Sequence, residues 1–477
     1  MSSTGLNSAP PLEHLTRLEN FGHSFQRSAF VYAPSNAEEL AAGIELAAER
    51  GLSVGLRGAG RSYGDAALNS GQMVLDLRGM NRILAWDPKS GVIKVEPGVT
   101  IEQLWKHVLG DGWWPPVVPG TMFPTLGGCL AANVHGKNNW VAGTLGEHVV
   151  EFEALLPDGK AISCSPEKDR DLFHAMIGSM GLLGVFTSIT LRMKQLHSGE
   201  MVVHAWAEPT LDGMLTAVDG SKTADYIVGW VDCIGLLGRT GRGQIHRAEY
   251  LKPGEDEDPT RSLRIDHQVL PPRLFGVVPK AWLHRFMQPF TNNWGTALTN
   301  FAKYWQSRTI AHNHSYTQSL VAFNFLFDYV PNWEHAYLPG GLIQYQSFIP
   351  KDTARDAYRE MIALCKRRGL PSYLGVLKRH RPDPFLLSHS VDGFSLALDF
   401  RATHSRRGPL MQLTAELDEI VLAAGGRFYF AKDSTLNAEK VRRYLGDDSV
   451  DKFISLKQKL DPENRLQTDL YRRCFVG

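Results

Sequence analysis

Three glycine-rich turns within the first 190 residues, each set against a β-rich run, constrain this chain more than any other feature. The first, Arg57-Gly58-Ala59-Gly60-Arg61-Ser62-Tyr63-Gly64-Asp65, follows the run Ser53–Leu56 directly. With no Cβ at its glycines, backbone amides can converge on an anion, and a diphosphate is the natural guest. The spacing is not GxGxxG and no helix pattern starts inside it, which separates it from a Rossmann turn. The second runs through Pro119-Gly120-Thr121, Gly127-Gly128, His135-Gly136-Lys137-Asn138 and Gly143-Thr144-Leu145-Gly146. Flanked by Trp113 and Trp114, it reads as backbone wrapped round a flat ligand. The third, Gly178-Ser179-Met180-Gly181-Leu182-Leu183-Gly184, precedes a strand. Each alone is explained as loop punctuation; three in this order point to one ligand.

Around these turns, strand and helix signals alternate. After Phe30–Ala33, Ser35 and Glu38 form a capping box that opens a helix ending near Arg50, before Gly51. Strands are expected at Met73–Leu77, Ile83–Asp87, Val92–Glu96, Val149–Leu156 and Gly184–Met193, and Thr100 with Gln103 opens a helix through His107. Beyond Met201 the strands are longer (Gly341–Ile349, Ser372–Leu377, Phe394–Phe400) and alternate with helices at Asp352–Arg368 and Leu410–Ala424. That pattern fits an α+β fold with an antiparallel sheet backed by helices. Residues 252–308 mix charge clusters, Pro pairs and aromatics without periodicity and read as a long mobile excursion. Within them Trp282, Phe286, Phe290 and Trp294 fit either core packing or an interfacial helix touching lipid.

Bulk properties exclude several classes. A chain of 477 residues with 43% hydrophobic and 21% charged residues is an ordinary globular protein of more than one domain. A net charge of +1 gives no bulk attraction to nucleic acid, and none is expected as a partner. The five cysteines show neither CxxC pairs nor metal spacing, so reduced thiols and no metal are expected. Residues Met1–Glu19 lack an apolar signal core, and no window approaches a membrane span. The expected location is cytoplasmic, with at most peripheral contact to an inner membrane.

Taken together, Gly60-Arg61-Ser62-Tyr63-Gly64-Asp65, Pro119-Gly120-Thr121, His135-Gly136-Lys137-Asn138, Gly181-Leu182-Leu183-Gly184, Gln344-Tyr345-Gln346, Ala431-Lys432-Asp433-Ser434 and, near the C-terminus, Asp461-Pro462 with Thr468-Asp469 resemble the vanillyl-alcohol oxidase family. The resemblance is strongest to its members that act as flavin subunits of sugar epimerases. It implies a PCMH-type, two-subdomain FAD-binding domain (residues 1–197), an α+β substrate domain (198–421) and a C-terminal segment (422–477) that returns to the FAD domain. It implies FAD as cofactor and oxidation of the C2 hydroxyl of ribose in a polyprenylphosphoryl ribose, with hydride passing to flavin N5. A short-chain NAD(P)H-dependent reductase would complete an epimerisation, and a quinone or another acceptor would reoxidise the flavin.

By position, the resemblance assigns FAD contacts to Gly58, Ala59, Gly60, Arg61, Ser62, Tyr63, Gly64, Gly120, Thr121, Gly127, Gly128, Asn133, His135, Gly143 and Val185. Many relatives tether FAD through a histidine where this chain has Arg61, so a non-covalent flavin is expected. Lys432 is the leading base: a lysine buried against apolar rings has its charged form disfavoured. His135 and Tyr63 are the other catalytic candidates, and Lys137, Gln344, Lys378, Tyr429 and Ser395 the substrate contacts. Lys378-Arg379-His380-Arg381 either grips a phosphate or is a solvated loop. Two departures alter the site wall: Ala397 stands where mycobacterial members have cysteine, and Ser395 where they have asparagine. Two alternatives stay open, a free-sugar or alditol oxidase using dioxygen and a flavin-fold binding subunit without turnover.

Overall fold

A computed structural model describes residues 11–274 and 278–476. Expectations for residues 1–10 and 275–277 lie outside them.

The first sheet joins β1 (Leu15–Glu19), β2 (Gln26–Tyr32), β3 (Val54–Arg57) and β4 (Met73–Asp76) in the order β1-β2-β4-β3. Its β2-β4 and β4-β3 pairs are parallel, with α1 (Ala37–Glu49) as the crossover. Leu40, Ile44 and Ala47 recur at helical spacing and bury against Met73 and Leu75. The cap of α1 lies one residue later than expected. Asn36 Oδ1 accepts from the Glu39 amide at 2.8 Å, while Ser35 Oγ and N–H both bond the Glu39 carboxylate. Thr100 and Gln103 do form the expected reciprocal box at the start of α2 (Ile101–Val108).

The second sheet is antiparallel: β5 (Ile83–Asp87), β6 (Val92–Val95), β7 (Val149–Leu155), β8 (Ala161–Cys164) and β9 (Val185–Arg192), in the order β5-β6-β9-β7-β8. The glycine-rich stretch between β6 and β7 carries the short helix α3 (Leu126–Ala131), capped by Thr125. Trp113 and Trp114, which flank the stretch, are buried in the core of this half.

The third sheet has eight strands: β10 (Glu200–Glu208), β11 (Tyr226–Val231), β12 (Gly243–Tyr250), β13 (His314–Ser319), β14 (Leu342–Pro350), β15 (Gly375–His380), β16 (Gly393–Arg401) and β17 (Arg427–Phe428), ordered β13-β10-β12-β11-β15-β16-β14-β17 and antiparallel throughout. Between β12 and β14, in the stretch expected to lack regular structure, α4 (Leu283–Met287) and α5 (Asn293–Thr309) form, the latter capped by the Asn292 side chain. The sheet is backed by α6 (Lys351–Arg367) and α7 (His404–Ala423). β15 starts three residues later than expected because Ser372 Oγ bonds Leu374 O and accepts from the Asp399 amide, taking backbone partners for itself. Conversely, α7 begins before Pro409, within its second turn, although Pro marks a break in the sequence.

Nearly every residue of β14 and β16 is buried, so the alternation of side chains, not exposure, defines their faces. One face of β14 carries Tyr345, whose hydroxyl bonds Asp418 of α7 at 2.9 Å. The other carries Gln344 and Gln346, polar groups in an otherwise apolar strand, and both open onto a cavity.

C-terminal helices Ala438–Leu445 and Asp447–Leu460 and the tail after them reach the first sheet. Gln467 N–H donates to Val54 O at 2.9 Å, Val54 N–H to Arg465 O at 2.7 Å, and Lys457 Nζ to Leu182 O at 3.0 Å.

Candidate active site

A cavity of about 430 Å³ lies between the glycine turns and the inner face of the third sheet. The first turn forms one end. Gly60 has a positive φ of 65°, and the amides of Ala59, Gly60, Arg61 and Ser62 have no backbone acceptor among the described residues. Four such donors in a row make an anion nest, and this is the observation by which the site fits a diphosphate. Gly120, Thr121, Gly127, Gly128 and Val185 line the same cavity.

Three residues expected at the cofactor do not line it. Gly64 is glycine for packing, since a Cβ there would lie 1.6 Å from Asp433 O. Asn133 is spent on structure: its Oδ1 accepts from the Gly146 amide at 2.9 Å. Gly143, at φ 73°, sits against the Glu147 carboxylate that closes the capping box with Thr144.

Where the turn continues into Tyr63, Lys432 Nζ stands 3.8 Å from the Tyr63 ring centroid. Burial lowers the Lys432 pKa from the lysine range, Asp399 opposes the shift and Lys378 adds to it. Burial raises the Asp399 carboxyl; Gln344 Nε2 donates to its Oδ1 at 2.6 Å, and its Oδ2 has no partner among the described residues. Tyr63 is raised well above the phenol range by burial, with Asp399 adding, and stays protonated. Two further lysines line the wall. Burial pushes Lys378 down to about 8 and, with Lys378 adding, Lys137 down to about 7. Lys137 also donates to Phe323 O. The charged residues lining the cavity are Arg57, Arg61, Lys137, Lys303, Lys378 and Lys432; no described Asp or Glu lines it.

His135 is fully enclosed. Gln346 Nε2 donates to its Nε2 at 3.1 Å, which leaves the proton on Nδ1, a buried atom without a protein partner. Burial, then the charges of Lys378 and other neighbours, holds its pKa well below the imidazole range, so the ring is a fixed neutral hydrogen-bonding group. Tyr429 and Gln344 line the cavity; Ser395 does not. The Ser395 hydroxyl faces His380 Nε2 at 2.7 Å. In the basic run that ends β15, Arg379 neither grips a ligand nor meets solvent: it is 1% exposed and pairs with Asp219 and Asp392 at 2.7 Å each. Arg381 pairs with Glu147 at 2.8 Å.

Asp399, His389 and Lys303 were not singled out from the sequence, and Gln346 and His380 only as members of the runs Gln344–Gln346 and Lys378–Arg381. Of the three missed, only Asp399 left a signal there, a lone carboxylate inside the apolar strand Gly393–Arg401.

Residues 28–165 match the model of the FAD binding domain family. The decaprenylphosphoryl-beta-D-ribose oxidase of Mycolicibacterium smegmatis is 30% identical over 462 residues, 96% of this chain and 97% of that protein. The chain belongs to the family of that oxidase. More distant likeness, over part of the chain, extends to a D-lactate dehydrogenase of Archaeoglobus fulgidus (31% over 216 residues, 44% of this chain and 46% of that protein). A putative D-arabinono-1,4-lactone oxidase of Neurospora crassa is 28% identical over 159 residues, 33% of this chain and 28% of that protein. Like other members of the decaprenylphosphoryl-ribose oxidase family, the chain is an FAD-dependent oxidoreductase acting on CH–OH groups, with the PCMH-type domain that the resemblance implied.

Proposed function

We propose that the enzyme oxidises the C2 hydroxyl of ribose in a polyprenylphosphoryl-β-D-ribose to the keto sugar. The observation that carries this is the charge of the cavity: besides the base Lys432, Lys137 and Lys378 line it, and no described carboxylate does. Buried cations without counter-ions are costly, and a phosphate held beside the sugar supplies the missing charge. The amides of Ala59–Ser62 are the anion nest that would take the diphosphate of FAD.

When bound, FAD supplies the two-electron acceptor for the hydride leaving the sugar carbon. The chain's residues manage the proton and the pose. Lys432, neutral in part at neutral pH because it is buried, takes the hydroxyl proton. Asp399, with Gln344 at its Oδ1, faces Lys432 as the counter-charge once that proton arrives. His135 and Tyr63 position the reactants as neutral groups, and Lys378 and Lys137 bind the phosphate. In this reading residues 1–197 and 422–477 hold FAD, non-covalently because Arg61, whose protonated guanidinium is not nucleophilic, stands in the tethering position, and residues 198–421 hold the substrate.

A short-chain NAD(P)H-dependent reductase takes the ketone onward, and a quinone reoxidises the flavin. Contact with a membrane is peripheral: among the described residues no helix is long and apolar enough to cross one. Trp282, Phe286, Phe290 and Trp294 are 54–81% exposed, in a stretch with no Asp or Glu between Asp266 and Asp328. That combination suits an anionic lipid surface.

The test is anaerobic addition of a polyprenylphosphoryl ribose to the yellow enzyme. Bleaching, with all flavin released by acid, is expected. A flavin that stays oxidised with this substrate but yields peroxide with soluble polyols overturns the substrate assignment and selects the alditol oxidase.

A further inference from the structure

Beside the cavity, and outside the machinery above, three side chains gather from distant parts of the sequence. Ligand atoms of His23, Glu334 and His335 all lie within 4.8 Å of one another. Glu334 is 5% exposed, yet its carboxylate makes no hydrogen bond or ion pair among the described residues. A buried carboxylate normally has a partner, and here the two imidazoles stand round it without closing to ion-pair distance. Two neighbours complete the picture. Glu19 Oε2 is 2.6 Å from His23 Nδ1, a carboxylate behind the ring as outer-sphere carboxylates stand behind metal-bound histidines. The His284 ring lies 5.6 Å from the His335 ring, and its Nδ1 is buried without a partner.

We propose that His23, Glu334 and His335, with His284 as fourth side chain, bind a divalent transition metal of zinc's class. Imidazole nitrogens with one carboxylate are the donor set of that class, not of calcium or magnesium. Metal–ligand bonds of about 2.0–2.2 Å require the donors to draw together by roughly an ångström, within the reach of side-chain rotation.

The ion has a mechanical role. His23 adjoins Phe21, and Glu334 and His335 adjoin Trp333; both aromatics line the cavity. His284 lies on α4, whose Phe286 belongs to the exposed aromatic surface. A metal here pins α4 to the cavity rim. The site stands on its own geometry and does not depend on which alcohol is oxidised.

The test uses the FAD-loaded enzyme, freed of metal by chelation and dialysed against zinc. One zinc per chain is expected. Glu334→Gln and His335→Gln should each weaken binding by more than ~10-fold, and Glu19→Gln by about 10-fold, with flavin content and thermal midpoint of the metal-free variants unchanged. If Glu334→Gln loses its flavin, His335→Gln, at a half-buried position, carries the test alone. Zinc should also slow proteolysis of the 280–290 stretch. Absence of stoichiometric zinc, or wild-type affinity in His335→Gln, overturns the site; unchanged proteolysis with zinc bound overturns the clamp.

Discussion

The Lys432 ammonium lies 3.8 Å from the centroid of the Tyr63 ring, a cation held by an aromatic face and not by a direct carboxylate contact. An aromatic face attracts a charge less strongly than a salt bridge does when both are buried. The balance therefore leans toward the neutral amine, with burial as the largest cause and Asp399 opposing it. The flavin reduction rate should rise with pH as Lys432 loses its proton, through a pKa below the ordinary lysine value. Lys432→Ala should lower that rate by ~10²–10⁴-fold, the usual share of a general base, and Lys432→Arg, which stays charged, should match it. Stopped-flow reduction from about pH 6 to 9 checks both; a Lys432→Arg variant with the wild-type rate would falsify the assignment.

Lys378 divides binding from chemistry. If it holds the phosphate, Lys378→Met should raise KM about 10-fold, equivalent to ~1.4 kcal/mol, while kcat falls much less. Its pKa of about 8 lies below that of the unfolded chain, so the unfolded state binds the extra proton between about 8 and the ordinary lysine value. Stability of the wild-type apoprotein thus increases with pH across that window and is lowest below it. Lys378→Met removes this penalty. Its apoprotein should melt higher than wild type at pH 7, with the gap closing as pH rises above about 8, as calorimetry would show.

Much of this was legible in the sequence, and the rest was hidden for identifiable reasons. Glycines announce themselves, and the first turn does line the cavity; Gly64 and Gly143 look the same in sequence yet serve packing, because what a missing Cβ makes room for is set by chain segments far away. Lys432 and Lys378 could be placed by their motifs. Asp399 and Gln346 could not, since their roles depend on strand register: Gln344 faces Asp399 and Gln346 faces Ala397 only once β14 and β16 are paired. The histidines at 23, 284 and 335 meet through tertiary folding alone. Ser35 and Asn36 were both competent caps, and nothing local decided between them.

Arg473 joins the two ends of the chain. Its guanidinium bonds Asp65, in the first glycine turn, at 2.7 and 3.0 Å, and Asp433, next to Lys432, at 2.8 Å. All three groups are largely buried, so deleting the cation leaves two carboxylates facing each other. Arg473→Met should cost about 3 kcal/mol of stability and loosen FAD, because Asp65 and Asp433 anchor the turn and Lys432, the proposed base, together. Urea unfolding and flavin retention on gel filtration measure the two effects.

The proposed membrane contact rests on Trp294, 81% exposed, with Leu298, Phe301 and Trp305 along the same face of α5. Phe286 and Phe290 extend the surface through α4 and the turn after it. Exposed aromatics in this number are unusual for a surface that meets only water, and the lack of acids nearby lets lipid phosphates approach. The enzyme should sediment with vesicles rich in anionic lipid and not with neutral ones. Trp294→Asp with Phe286→Asp should lower that partition at least tenfold while flavin content and reduction by a short-chain, water-soluble substrate remain as in wild type. Equal sedimentation of the double variant would assign the surface to something other than lipid, and loss of activity with the soluble substrate would place these residues in the catalytic architecture instead.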